Sequence, residues 1–283
     1  MRLLVTGAAG MLGQDVCAVA SRAGHDVVAV ARGDLDITDL AAVRRTVGAA
    51  RPDAVVNCAA WTDVDGAEAQ EDAATAVNGT GAGNVARAAD AAGALVEQVS
   101  TDYVFDGADR EAPYVESDPE APRTAYGRSK LRGEAEVREG AARSAIVRTA
   151  WLFGPGGKNF VDTMRRLAAE RDAVTVVDDQ VGCPTYTGHL AGALVEIAER
   201  GLTGTLHVAG GGQCTWYDLA AATFAATGAQ VALHRGSSAD LDRPAPRPPY
   251  SVLATERDDT PRLPGWRDGL AAHLAASREV VHR

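Results

Sequence analysis

Short apolar runs bounded by turn residues alternate with Ala-rich stretches of helical period along the first half of the chain. The pattern predicts strands at 2–6, 26–30, 54–57, 94–100 and 144–149. It predicts helices at 11–23, 39–50, 68–92 and 126–139, with Gly24 closing the first and Pro52 following the second. The strands are apolar nearly throughout rather than alternating. Strands of that kind are buried on both faces, and crossover helices between them imply a parallel sheet. The second half is less regular. It predicts helices at 159–171, 189–200 and 215–227, strands at 174–177 and 204–208, and a glycine loop at 210–212. The run RPAPRPP at 243–249 lacks too many amide donors for a helix or a central strand and reads as an ordered loop.

The first strand runs directly into Gly7-Ala8-Ala9-Gly10-Met11-Leu12-Gly13, which opens the first helix. Glycines at these spacings let the backbone turn tightly and approach a pyrophosphate. The helix N-terminus then offers that anion free amides and a positive dipole end. The expected fold is therefore α/β: a doubly wound parallel sheet (Rossmann fold) with a smaller C-terminal α/β substrate lobe. Residues 1–150 form the dinucleotide domain, with return segments at about 186–210, and 151–283 are mainly the substrate lobe. An acidic residue at the end of the second strand would select a free ribose 2′-hydroxyl. This chain has Ala31-Arg32 there, and a guanidinium at that place favours the 2′-phosphate of NADPH over NADH. Asp36 and Ile37 are placed against the adenine. Asn57 ends the third strand, and the small residues Cys58, Ala59 and Ala60 after it let a cofactor pass closely.

Tyr126-Gly127-Arg128-Ser129-Lys130 sets a phenol and an ammonium four apart, on one face of a helix. Reduction of a ketone needs a hydride on carbon and a proton on oxygen. Tyr126 has the proton. Lys130 is expected to lower the phenol pKa and to grip the cofactor ribose. Ser100-Thr101-Asp102 closes the preceding strand, at the edge where such sheets bind ligands. Thr101 is the expected hydroxyl donor to the substrate carbonyl, with Ser100 second.

Composition changes this picture little. The formal net charge of -10 disfavours nucleic acid and anionic membrane surfaces as partners. Cys17, Cys58, Cys183 and Cys214 are widely spaced and read as free thiols of a reducing compartment. No apolar run approaches the roughly 20 residues a membrane helix needs, and Met1 leads straight into a strand without a signal-peptide layout, so a cytoplasmic location is expected.

Six stretches together resemble the extended short-chain dehydrogenase/reductase family, and within it the branch that reduces dTDP-linked 4-keto-6-deoxy sugars. They are the glycine turn, NCAAWTDVD (57–65), STDYVFDG (100–107), YGRSKLRGE (126–134), VRTAWLFG (147–154) and DQVGCPT (179–185). They run in family order over nearly the whole chain, and STDYVFDG with DQxGxPT is far more specific than the other motifs. The resemblance implies NADPH (or NADH) as cofactor and reduction of the C4 ketone of dTDP-4-dehydro-β-L-rhamnose. By matching position it implies Thr101, Tyr126 and Lys130 as the catalytic group. Asp102, Trp151, Asn159, Gln180, Pro184 and Thr185 would lie toward the nucleotide-sugar, and Arg247 toward its diphosphate. Cys58 and Trp61 depart from the usual family residues. Some relatives are dimers that bind a divalent ion through acidic residues. Here Asp15 fits one such position but His189 replaces another, so no metal is expected, and the assembly is a monomer or homodimer. A reductase of another dTDP-6-deoxy or streptose-type sugar would share every residue named. An epimerase or dehydratase, and a non-catalytic NAD(P)-binding regulatory subunit, are the more distant alternatives.

Overall fold

Neighbouring side chains on the central strands point into two different helical layers, and this alternation fixes the layout. The computed structural model describes residues 1–108 and 110–281. Five of the main-sheet strands are β1 (Arg2–Thr6), β2 (Asp26–Val30), β3 (Ala54–Asn57), β4 (Leu95–Thr101) and β5 (Ser144–Thr149). A sixth, β10 (Gly204–His207), comes from the second half of the chain, and the order is β10-β5-β4-β3-β1-β2. Every pairing in it is parallel. Leu4, Val55, Val96 and Ile146 face one helical layer, and Val5, Val56, Ala145 and Val147 face the other. The first layer contains α2 (Leu40–Ala50), α5 (Ala82–Ala91) and α6 (Ala125–Gly140). The second contains α1 (Met11–Arg22) and α8 (Thr187–Arg200). This is the doubly wound parallel sheet that the apolar strands predict. The strand order reverses at β1, whose neighbours β2 and β3 lead away on either side. A crevice therefore opens at its carboxyl end, where the glycine turn begins.

The predicted helix at 68–92 is interrupted. It divides into α3 (Val64–Ala69), α4 (Glu71–Thr75), a π-helical turn at Ala76–Gly81, and α5. Asn78 accounts for the bulge. Its amide exchanges hydrogen bonds with both backbone groups of Trp61 and donates to Ser129 Oγ at 2.9 Å. One helix turn is widened to hold the loop after β3 against the helix that carries Tyr126.

The smaller lobe is built on β7 (Ala173–Val177) paired in parallel with β12 (Ala232–Gly236). α7 (Phe160–Glu170) and α9 (Trp216–Thr227) cover this pair. Four two-residue strands in two pairs link the lobe to the sheet edge: β6 (Leu152–Phe153) pairs with β9 (Thr185–Tyr186), and β8 (Val181–Gly182) pairs with β11 (Cys214–Thr215). α10 (Trp266–Val281) packs beside β9. None of the four cysteines is in a disulfide, and no helix among the described residues is long and apolar enough to cross a membrane.

Glu97 is anomalous. It lies on the central strand β4 with no solvent exposure, and neither carboxylate oxygen has a hydrogen-bond partner. Burial pushes its pKa well above the usual carboxylate range. Its folded-state pKa exceeds the unfolded one, so stability falls as pH rises from about 4.3 through the folded value. Glu97→Met removes that penalty. It is expected to raise the unfolding free energy by about 1–3 kcal/mol near neutral pH. Denaturant midpoints at pH 5 and pH 8 check this, with the larger gain at pH 8.

Candidate active site

The glycine turn is closed to any side chain at Gly7 and Gly13. Gly7 sits at φ +66°, and a Cβ there would stand 2.7 Å from the Ala59 amide nitrogen. A Cβ on Gly13 would stand 2.3 Å from the Gly7 carbonyl oxygen. The backbone of the first loop is thus pressed against the end of β3. Gly10 precedes α1 as its N-cap and contributes no side-chain cap, so the first-turn amides stay available to an anion. Met11 opens the helix and Leu12 is buried beneath it. These residues fit a dinucleotide pyrophosphate. Arg32 is exposed just past β2. Asp36 is exposed too, and its Oδ1 accepts from Thr38 N at 2.9 Å and Thr38 Oγ1 at 2.7 Å, which holds its carboxyl below the ordinary range. Ile37 is buried next to Gly81. Cys58, Ala59 and Ala60 line the floor beyond Asn57, each partly exposed.

β4 and α6 bring the expected catalytic residues together. Thr101 is the last residue of β4 and pairs across the sheet with Thr149. α6 starts beside it, capped by Thr124, whose hydroxyl accepts from Gly127 N at 2.9 Å. Thr101 Oγ1 donates to Asp102 Oδ1 at 2.9 Å and accepts from Tyr103 N at 3.2 Å. Burial raises the Tyr126 phenol to about 12, opposed by a hydrogen bond with Thr101 and reinforced by the Asp102 charge. Lys130 is buried, and its Nζ donates to the Val99 carbonyl at 2.6 Å. Burial draws its pKa down to about 8, while Glu134 and Cys58 push it up. This differs from the expectation that Lys130 depresses Tyr126. In this structure desolvation governs the phenol, and the lysine spends a donor on the strand backbone. Tyr126 is consequently protonated at neutral pH, the form that gives a proton. Asp102 Oδ2 is buried without a hydrogen-bond partner, and burial raises this carboxyl to about 6.

A buried charge cluster backs this group. Glu134 lies one helical turn beyond Lys130 and is fully buried. It accepts from Ser100 Oγ at 2.6 Å, Arg148 Nε at 2.9 Å and Nη2 at 2.7 Å, and Arg138 Nη2 at 2.9 Å. The strand bearing Thr101, the helix bearing Tyr126 and Lys130, and β5 are thereby tied at one carboxylate.

The substrate-side candidates are more dispersed. Trp151 follows β5 two residues after Thr149, so it stands at the same sheet edge as Thr101. Asn159 uses its amide to cap α7 and to bond Gly154 O and Gly157 O. Gln180 is buried between Trp216 Nε1 and Ser238 Oγ. Thr185 Oγ1 donates to Cys183 O and accepts from Gly210 N, and Pro184 is buried beside it. Arg247 is held in a two-pronged pair with Asp65, at 2.8 and 2.7 Å, and also donates to Ala245 O. The proline-rich loop is thereby fastened to α3, and Arg247 keeps only part of its fork for an anion. With Tyr103, Arg123 and Thr124 it lines a small cavity beside the Tyr126 helix.

The sequence matches the family described as RmlD substrate binding domain over residues 1–279. The chain belongs to that family. A Streptomyces griseus protein named dTDP-4-dehydrorhamnose reductase is 50% identical over 263 residues, 90% of this chain and 86% of that protein. A Streptomyces niveus protein named dTDP-4-keto-6-deoxy-D-glucose reductase is 46% identical over 254 residues, 89% of this chain and 88% of that one. The crystal structure of dTDP-4-dehydrorhamnose reductase from Bacillus anthracis in complex with NADP superposes with a TM-score of 0.94 at 37% identity, covering 97% and 99% of the two chains. Placed on this RmlD-family chain, the residues that sequence reading passed over are Asn78, Glu134, Arg148, Asp65 and Trp216. Three of them, Asp65, Glu134 and Arg148, lie inside recognised stretches. Their partners are far away in sequence, so no local pattern marked them.

Proposed function

We propose that the chain is a cytoplasmic NADPH-dependent reductase of the C4 ketone of a dTDP-linked 4-keto-6-deoxy sugar, converting dTDP-4-dehydro-β-L-rhamnose to dTDP-β-L-rhamnose. The observation that carries this reading is the convergence of Thr101 and Tyr126 at the carboxyl edge of a sheet whose first turn has no room for a Cβ at Gly7 or Gly13. The relatives named for this reaction and the neighbour solved with NADP support it. NADPH, when bound, supplies the hydride to C4. Tyr126 Oη gives its proton to the carbonyl oxygen, which becomes the hydroxyl. Thr101 Oγ1, turned from Asp102 toward the substrate, donates to the same oxygen and polarises the carbonyl. Lys130 holds the ribose side of the cofactor, and Asp102 holds the Thr101 hydroxyl until the substrate binds. Trp151 bounds the sugar, and the remaining edge of Arg247 meets the diphosphate.

The Streptomyces niveus relative favours a second reading, in which the keto sugar is an isomer of different ring stereochemistry. Parallel rates of NADPH oxidation with the two dTDP-4-keto sugars decide between them, the faster one naming the substrate. Arg32→Ala tests the cofactor reading. It is expected to raise KM for NADPH by about tenfold, the value of a charge-assisted contact, and to leave KM for NADH nearly unchanged. Equal effects on both would remove Arg32 from the 2′-phosphate.

A further inference from the structure

We propose that Trp216 is a positioning residue for the sugar subsite: it fixes the indole of Trp151, and Gln180 acts through it. This rests on the reading above that Trp151 faces the sugar ring.

Trp151 is one of two non-glycine residues with positive φ among the described residues, at +46°. A bulky residue in the left-handed region is strained and persists only where its surroundings hold it. Here the holding groups are identifiable. The Trp151 ring lies stacked on Trp216, with centroids 3.5 Å apart and planes 3° from parallel. On the chain side Gly182 leaves the ring its space, since a Cβ there would stand 2.3 Å from Trp151 Cε2. Trp216 is itself fixed at three points. It is the first residue of α9, behind a capping box in which Thr215 and Asp218 bond reciprocally. Its Nε1 donates to Gln180 Oε1 at 3.0 Å, and Gln180 Nε2 donates to Ser238 Oγ at 2.6 Å. Phe160 packs on its ring at 4.6 Å.

The substrate lobe therefore meets the sheet edge at this aromatic stack as well as through the short strand pairs. α9, α7 and the Gln180 loop belong to the lobe, while Trp151 belongs to the strand end beside Thr101. A flat ring held rigidly at that point presents an apolar edge to the C–H face and methyl group of a 6-deoxy sugar. Preorganising that ring lowers the entropy cost of sugar binding without touching the reacting atoms. Gln180 explains its burial in this way. Both ends of its amide are committed within the protein, so its contribution reaches the ligand through Trp216.

The test uses full-length Trp216→Leu and Trp216→Phe. Trp216→Leu is expected to abolish the exciton couplet of the stacked indoles in circular dichroism. It should weaken dTDP-β-L-rhamnose binding about tenfold, leave dTDP binding within about threefold, and raise KM for the keto sugar more than it lowers kcat. Trp216→Phe, which keeps a stacking ring, should recover most of the affinity. Unchanged sugar affinity in a folded Trp216→Leu protein that has lost the couplet would overturn the proposal. Equal weakening of dTDP and dTDP-β-L-rhamnose would do the same. If Trp216→Leu does not fold, Gln180→Met carries the test: it removes the acceptor of Trp216 Nε1 together with the donor to Ser238 Oγ, keeps both indoles, and should weaken the sugar selectively by about threefold or more. The binding measurements need no turnover. A wild type that binds dTDP-β-L-rhamnose yet reduces no keto sugar would end the reductase reading and leave this one decided by the variants.

Discussion

Tyr126→Phe is expected to lower kcat by about 10²–10⁴, the range for loss of a positioned proton donor. The substitution deletes one oxygen and keeps the ring, which packs edge-on against Tyr103 at 5.6 Å. Fold and cofactor binding should therefore survive, and KM for NADPH should stay within about threefold. The pH profile separates this residue from its neighbours. The phenol, raised to about 12 by burial, keeps its proton through the neutral range. Lys130, drawn down to about 8, loses its charge on the way up. Activity of the wild type should decline as pH rises through about 8, with the lysine and not the tyrosine as the cause. Steady-state rates from pH 6 to 10 check this. A Tyr126→Phe enzyme with near wild-type kcat would take the proton from elsewhere, with Thr101 the next group in line.

Arg148→Met is expected to cost about 3–5 kcal/mol of folding stability, because it leaves a buried carboxylate without its main partner. Both members of the pair have no solvent exposure. Arg148 also bonds Glu120, and its guanidinium carbon lies 5.2 Å from the Phe105 ring. Arg138, which is 41% exposed, would remain paired with Glu134. At roughly 2–3 °C per kcal/mol for a chain of this length, Tm should fall by about 6–15 °C. The double variant Arg148→Met with Glu134→Leu removes both charges and should recover much of the loss, since well-packed apolar replacements of buried pairs are often neutral. Thermal unfolding of the single and double variants measures this. An additive double variant would mean that the cluster contributes through packing and not through paired charge. Glu134 also accepts from Ser100 Oγ beside Thr101, so kcat should fall in the single variants below the temperature at which they unfold.

Sequence reading reached far where the signal is local. The apolar strands gave the parallel sheet, and the glycine turn, the threonine at the end of β4 and the Tyr126–Lys130 pair meet at one edge of it. Each of these depends on spacings of a few residues, which chain geometry fixes. It fell short where a long-range contact decides. The helix expected at 68–92 breaks because Asn78 reaches back to Trp61, a bond that helical period cannot reveal. Asp65 meets Arg247 across 182 positions, and Arg148 meets Glu134 between different layers. Lys130 stands only four residues from Tyr126, yet burial outweighs any effect of its charge on the phenol. α10 is a different case, since Trp266, Leu270 and Leu274 recur every four residues and all are buried. That stripe was readable, and an Ala- and Arg-rich surround obscured it. The start of α8 at Thr187, two residues before the expected 189, follows from β9 ending at Tyr186.

The central claim is that this chain reduces a dTDP-linked 4-keto sugar with NADPH. The most direct measurement follows NADPH absorbance with purified protein and dTDP-4-dehydro-β-L-rhamnose, together with the yield of dTDP-β-L-rhamnose. Oxidation of one NADPH for each deoxysugar formed, abolished in Tyr126→Phe, is the predicted result. A folded protein that binds NADPH but oxidises none of it with this sugar or its stereoisomers would contradict the account.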